Sequence, residues 1–274
     1  MRGYEPLATY PEKDFSTLER VLSQPRVLVF YVSQLVWPAP SRMSLLHDIA
    51  VSRTPWSPWT TLPSIAAVLA ALGACAALAR RHRVLSFGIA WWFLHLAIES
   101  SVLPLALAME HRHYLPLVGP ALAAAWVGAS LLRGRTALAV ALAAAVVLAL
   151  AATTHVRNRS WRTAETVWLD VLSKYPEDFM ALVNLGFDLA NQGRHGEALE
   201  IFERARALAP DDTRVWTNIG NSLAGVGRPD EAIAAYERAI DLDPTNELAP
   251  LGLGRAFVLA GRPRDALAPL AHAA

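Results

Sequence analysis

Residues 179–210, FMALVNLGFDLANQGRHGEALEIFERARALAP, are followed by residues 213–244, TRVWTNIGNSLAGVGRPDEAIAAYERAIDLDP, and the two lines keep the same chemistry at the same places. Gly186, Gly220 and Gly254 recur at one fixed interval, and Ala198, Ala232 and Ala266 keep the same interval, as do Pro176, Pro210 and Pro244. In the first line Leu182, Leu185, Gly186 and Leu189 fall on one face of a helix, and Ala198, Phe202 and Ala205 on one face of a second. The second line repeats this with Trp216, Ile219, Gly220 and Leu223, then Ala232, Tyr236 and Ala239. Small residues let the paired helices approach, and Phe202 or Tyr236 fills the space between them. Gly193 and Gly227 mark the turns, and Pro210 and Pro244 close the second helices.

The interval, about 34 residues, is the period of the tetratricopeptide helix-turn-helix repeat, whose units stack into a solenoid. The expected units are a partial one at 145–178, complete ones at 179–212 and 213–246, and a truncated one at 247–274. The last is irregular: Pro250 replaces the large residue of its first helix and Pro269 interrupts its second. A solenoid needs a polar terminal helix, so the chain is expected to be a fragment or to have lost repeats.

The rest of the chain has a different composition. Residues 1–152 hold 12 Lys+Arg against 7 Asp+Glu, a balance of +5, while residues 153–274 hold 13 against 17, a balance of −4; the two sum to the net +1. This near-neutral total, without a basic stripe, argues against nucleic acid as a partner. An apolar fraction of 54% points to a bilayer. The single cysteine, Cys75, excludes an intrachain disulfide. The N-terminal segment, Met1 to Arg26, mixes charges and prolines without an apolar run, so it does not form a secretory signal.

Four apolar stretches are expected to span a membrane as helices, at about 60–79, 84–105, 115–132 and 136–152. They make residues 60–152 a polytopic transmembrane domain. Val27–Trp37, halted by Pro38, is too short to cross and is read as a short interfacial helix within an extracytoplasmic region, residues 1–59. Arg80, Arg81 and Arg83 separate the first two spans, and Arg133 and Arg135 the last two. Both loops are therefore assigned to the cytoplasm, and the repeats, residues 153–274, to the other side. Arg157, Arg159 and Arg162, just beyond the last span, run against that assignment. One repeat period further back, Ala164, Trp168, Val171 and Pro176 fall at second-helix positions of the partial unit, whose first helix centres on Ala152. Either the last span continues into the solenoid as that helix, or the chain bends near Asn158–Ser160.

Several stretches together resemble one family. Arg26-Val27-Leu28, Trp37-Pro38, Ser44-Leu45-Leu46-His47-Asp48, Ser100-Ser101-Val102-Leu103-Pro104 and Glu110-His111-Arg112-His113-Tyr114-Leu115-Pro116, with repeats behind them, look like the transmembrane and tetratricopeptide repeat O-mannosyltransferases. Members are similar to type C glycosyltransferases. The resemblance implies a polyprenyl-phosphate-linked sugar as donor, a protein hydroxyl as acceptor and transfer outside the cytoplasm. It also implies an acidic catalytic residue in the first external loop, near the N-terminus. This chain is expected to lack that part, so no catalytic residue is assigned and its standing as an enzyme is left open.

The candidate site residues follow. Arg112 offers a planar guanidinium that can fork onto a lipid phosphate, with Glu110 to orient it and Tyr114 to sit at the interface; alternatively Glu110 and Arg112 only neutralise each other at a span boundary. Glu99 faces a polar cavity inside the bundle or lies beyond the hydrocarbon edge. His47 and Asp48 touch a sugar or acceptor, or merely shape a loop. His111 and His113 are too few for a metal site, and none is expected; no cofactor is assigned to the chain. Gly252-x-Gly254 is part of the repeat rather than a nucleotide loop. In the repeats, Asn184 and Asn218 stand two residues before successive repeat glycines, on the concave side of the first helices. Stacked amides that donate to and accept from a peptide backbone resemble the asparagine ladder of other repeat-containing glycosyltransferases. Asn221 and Arg255 extend the stripe, and Gly252 breaks it; alternatively the asparagines serve only neighbouring helix ends.

The expectation is an all-α, multi-pass protein of a bacterial inner membrane with an extracytoplasmic repeat groove. Its partners would be membrane lipid, polyprenyl phosphate sugar and acceptor polypeptide. The alternatives are a non-catalytic membrane-tethered scaffold for envelope proteins and an oligosaccharide ligase-like protein.

Overall fold

The repeat turns form as the glycine spacing requires. Gly193, Gly227 and Gly261, one repeat apart, have φ of 78°, 80° and 73°, the left-handed region that side chains other than glycine rarely enter. The structure is a computed structural model and describes residues 16–47, 49–97 and 115–272. All its long regular elements are helices. The chain divides into two compact units, Met1–Arg159 and Ser160–Ala274.

The first unit begins with α1 (Thr17–Val36), a helix of 20 residues. This corrects the short apolar helix at 27–37. Ser16 and Glu19 form a reciprocal capping box that starts the helix well before Val27, and Pro25 is carried inside it. Hydropathy hides the first half because its buried face is polar: Arg20, Ser23 and Gln24 are buried along with Val27 and Tyr31. Ser23 explains how this is tolerated. Its hydroxyl donates to the Glu19 carbonyl at 2.7 Å and accepts from the Ser52 amide at 2.8 Å.

Three further helices pack in sequence behind α1: α2 (Thr61–Leu78), α3 (Arg83–Ala97) and α4 (Val118–Leu131). The Ser86 hydroxyl on α3 donates to the Cys75 carbonyl on α2 at 2.8 Å. Where α3 meets α4, backbone touches backbone: a Cβ on Gly88 would lie 2.7 Å from the Gly119 carbonyl oxygen. Such small-residue crossings let helices pack closely without long apolar side chains. The unit ends with α5 (Thr136–Arg159), 24 residues, so the stretch expected to stop at Ala152 runs on to Arg159.

Two of these helices, α2 and α5, are long and apolar enough to cross a membrane. The described parts of the other two expected spans are shorter: α4 has 14 residues, and α3 has 15 and ends where the described residues stop. Four full spans are therefore not established.

The second unit is the solenoid. It comprises α6 (Ala164–Lys174), α7 (Phe179–Asn191), α8 (His195–Leu208), α9 (Thr213–Gly225), α10 (Pro229–Leu242), α11 (Leu248–Leu259) and α12 (Leu267–His272). Ala181, Leu182, Leu185, Ala198, Phe202 and Ala205 are all buried in the α7/α8 pair, as the periodicity predicts. In the last pair the second helix starts late, at Leu267: residues 263–266 are turned, and Pro269 falls in the first helical turn, where its missing N–H breaks no helical hydrogen bond. Leu270 there takes the place of the ring, against Gly254.

Candidate functional site

The first helices α7, α9 and α11 lie side by side, with α9 packed against both neighbours. Residues recurring on their outward faces therefore share one surface. Asn184 is half-buried, and its Nδ2 donates to the Met180 carbonyl of its own helix at 2.7 Å, so one donor is already used locally. Asn218, the same position on α9, is half-buried and makes no side-chain hydrogen bond among the described residues.

The break at Gly252 has a cause that the sequence does not disclose. The Tyr236 ring, rising from α10, fills the space beside it: a Cβ on Gly252 would run into ring carbon Cε1 and lie 2.8 Å from the hydroxyl oxygen. An asparagine cannot stand there. The Tyr236 hydroxyl instead donates to Asn221 Oδ1 at 2.8 Å. Burial pushes the Tyr236 phenol up to about 12, with Arg255 acting in the opposite sense. Of the four predicted groove residues, then, Asn221 is bonded to a tyrosine that the sequence assigns only to packing, and Arg255 on α11 bears on the same phenol electrostatically.

A second series also escapes the sequence reading, although the repeat step would find it. Arg194, Arg228 and Arg262 recur at the repeat interval, each one turn before Glu197, Glu231 or Asp265. Each arginine pairs with its partner at the head of a second helix, at 2.6, 2.5 and 2.8 Å. Arg194 also reaches Glu165 on α6 at 2.8 Å, tying successive pairs together. Hydrogen bonds from Arg194 and Arg228 hold the Glu197 and Glu231 carboxyls below the usual carboxylate range.

In the first unit, His47 stacks edge-on against Phe30 at 4.8 Å, with its Nε2 at 3.4 Å from Gln34 Nε2. It belongs to a packed polar loop, where Arg42 donates to the Ser33 hydroxyl at 2.7 Å. Asp48, Glu99, Glu110, Arg112 and Tyr114, together with His111 and His113, lie outside the described residues. An apolar cavity of about 460 Å³ opens among α1, α2, α3 and α4, lined by residues such as Leu28, Val32, Val68, Trp92 and Ala123. Among the described residues no three His, Cys, Asp or Glu side chains gather to hold a metal ion.

Comparison with known proteins agrees with the repeat geometry. Residues 177–245 match one family model for the tetratricopeptide repeat and residues 223–274 match another. Tetratricopeptide repeats are therefore present in this chain. No curated protein sequence matches it. Among solved structures it is similar to MamA (41-end) from Desulfovibrio magneticus RS-1, at 28% identity and a TM-score of 0.38 over 40% of this chain and 62% of that one. MamA AMB-1 is matched at 21% identity and a TM-score of 0.36, over 40% of this chain and 64% of the other. The type III secretion translocator chaperone SycD of Yersinia enterocolitica is matched at 23% identity and a TM-score of 0.34, over 35% of this chain and 72% of the other. The chain thus spans about three-fifths of the length of the first of these structures.

Proposed function

We propose that this protein holds extended polypeptide in its tetratricopeptide groove while the first unit anchors it in a membrane. The observation that supports the groove reading is that α7, α9 and α11 lie side by side and carry Asn184, Asn218, Asn221 and Arg255 at repeat-related positions. Amides match the alternating donors and acceptors of an extended backbone without demanding a particular side chain. Supporting the membrane reading, α2 and α5 have the length and composition of spans, and Leu69, Val146, Val147 and Leu148 on them are exposed. Extraction of cell membranes at alkaline pH tests this part: retention in the pellet supports it and release into the supernatant overturns it.

The resemblance to O-mannosyltransferases gives the proposal its finer form. A polyprenyl-phosphate-linked sugar would lie in the first unit, with Arg112 on its phosphate, and the groove would deliver the acceptor chain. The cavity among α1–α4 supports this reading, since its apolar lining suits a hydrocarbon tail. Binding of polyprenyl phosphate mannose to the purified chain in detergent tests it: loss of binding in Arg112→Ala supports a donor site, and unchanged binding overturns it. A membrane-tethered scaffold that never handles sugar is the second reading, favoured by the intact groove geometry alone.

A further inference from the structure

The first unit carries its charge almost entirely as cation: among its described residues Glu19 is the sole acidic side chain. Five of its arginines stand in two short connections, Arg80, Arg81 and Arg83 where α2 passes into α3, and Arg133 and Arg135 where α4 passes into α5. All five are exposed, and none makes a side-chain hydrogen bond or an ion pair among the described residues. The solenoid treats arginine differently: Arg194, Arg206, Arg228, Arg238 and Arg262 all have carboxylate partners.

The fold brings the two connections to one end. Helices α3 and α4 run antiparallel: Trp91 Nε1 donates to the Leu115 carbonyl ahead of α4 at 2.9 Å, Gly88 crosses Gly119, and the His82 ring meets Trp126 further along α4 at 5.6 Å. The 80–83 connection therefore sits by the end of α4 that leads into Arg133 and Arg135. Backbone bonds pin both turns. The His82 amide donates to the Leu78 carbonyl at 2.8 Å, and the Arg135 amide to the Leu132 carbonyl at 2.9 Å across Gly134, whose φ is 82°.

Within the chain this placement is electrostatically adverse. Arg83 opens α3 and Arg135 directly precedes α5, where the partial positive charge of a helix N-terminus repels a cation. No carboxylate of the described residues offsets it. The position of the cluster indicates which anion does. Both helices with the length and composition of spans meet it: α2 ends at Leu78 and α5 begins at Thr136. The guanidinium groups thus stand where two apolar helices leave the hydrocarbon, the depth at which lipid phosphates lie. Trp126, half-buried beside His82, is of the aromatic type that settles at that boundary.

We infer that Arg80, Arg81, Arg83, Arg133 and Arg135 form a binding site for the phosphate headgroups of anionic phospholipids. This rests on the membrane reading above and adds a lipid class to it. A guanidinium can fork onto a phosphate with two charge-assisted hydrogen bonds. A zwitterionic lipid sets its own cation against the cluster, and an anionic one does not.

The test uses the full chain in nanodiscs of equimolar phosphatidylcholine and phosphatidylglycerol, with the lipids retained on transfer to detergent counted by native mass spectrometry. Phosphatidylglycerol is expected to exceed phosphatidylcholine about fivefold among the retained lipids, with the excess shrinking as salt is raised. Arg80→Gln combined with Arg81→Gln and Arg133→Gln brings the two lipids to equal amounts, while Arg238→Gln on the solenoid leaves the excess unchanged. Soluble glycerol phosphate added in excess does not displace the lipid. Equal retention of the two lipids by the unaltered chain, an excess that survives in the triple variant, or displacement by glycerol phosphate would overturn the headgroup site and leave the membrane reading intact. A chain that does not enter nanodiscs would overturn both.

Discussion

The ring of Phe202 occupies the space that a side chain on Gly186 would need: a Cβ there would lie 2.6 Å from Cε1. Tyr236 stands over Gly220 in the same way, at 2.8 Å. The α7/α8 and α9/α10 pairs are thus each closed by an aromatic ring laid on bare backbone, and the spacing of Gly186 and Gly220 is the record of that contact.

Gly186→Ala should therefore lower the stability of the repeat unit by about 1–3 kcal/mol, the usual cost of overpacking a filled core. Gly196→Ala on α8 has open space around it and should raise stability by about 0.5–1 kcal/mol, by removing unfolded-state freedom. Thermal unfolding followed by helical circular dichroism separates the two. An equal response to both substitutions would contradict the ring-on-backbone contact.

Tyr236→Phe keeps the ring over Gly220 and Gly252 but removes the bond to Asn221, for an expected loss of about 0.5–1.5 kcal/mol. The phenol is held neutral in the folded chain, with its titration pushed up to about 12 from the ordinary 10. A raised acid of this kind contributes stability that is intact below about pH 10 and disappears as pH climbs toward 12. The difference in tyrosinate absorbance between wild type and Tyr236→Phe should accordingly rise near pH 12; a rise near pH 10 would show that the ring is not buried.

The recurring arginine pairs predict the acid limb. Glu197 and Glu231 have their carboxyls depressed in the folded state, so their contribution is present above the ordinary glutamate value of about 4.3 and is lost as pH falls through the folded value. Glu197→Gln with Glu231→Gln should flatten the decline of melting temperature below about pH 4.3, and added salt should weaken the effect. An acid limb identical to wild type would remove these pairs from the stability of the solenoid.

The solenoid is legible in sequence because its contacts are local and punctuated: Gly193 and Gly227 need the left-handed turn, and Ala198 and Phe202 need neighbours one helical turn away. The start of α1 is not, since Arg20, Ser23 and Gln24 are buried by partners as distant in the chain as Ser52, which no hydropathy window can see. Gly252 looks like a gap in an amide ladder, whereas it is the space for a ring from the preceding unit; Tyr236, which reads as core filling in sequence, reaches the groove with its hydroxyl. Asn184, Asn218, Asn221 and Arg255 lie on the first helices α7, α9 and α11, and which of their polar atoms remain free depends on bonds such as Asn184 to Met180 that only coordinates disclose.

Whether the face carrying Asn218 takes up polypeptide is tested most directly by replacing Asn218 with the photo-crosslinking residue p-benzoylphenylalanine in the full chain and irradiating intact cells. Crosslinked polypeptide adducts are expected from this position and none from Glu203 on the second helix α8. Adducts absent at Asn218, or equally abundant at Glu203, would contradict a polypeptide-binding groove.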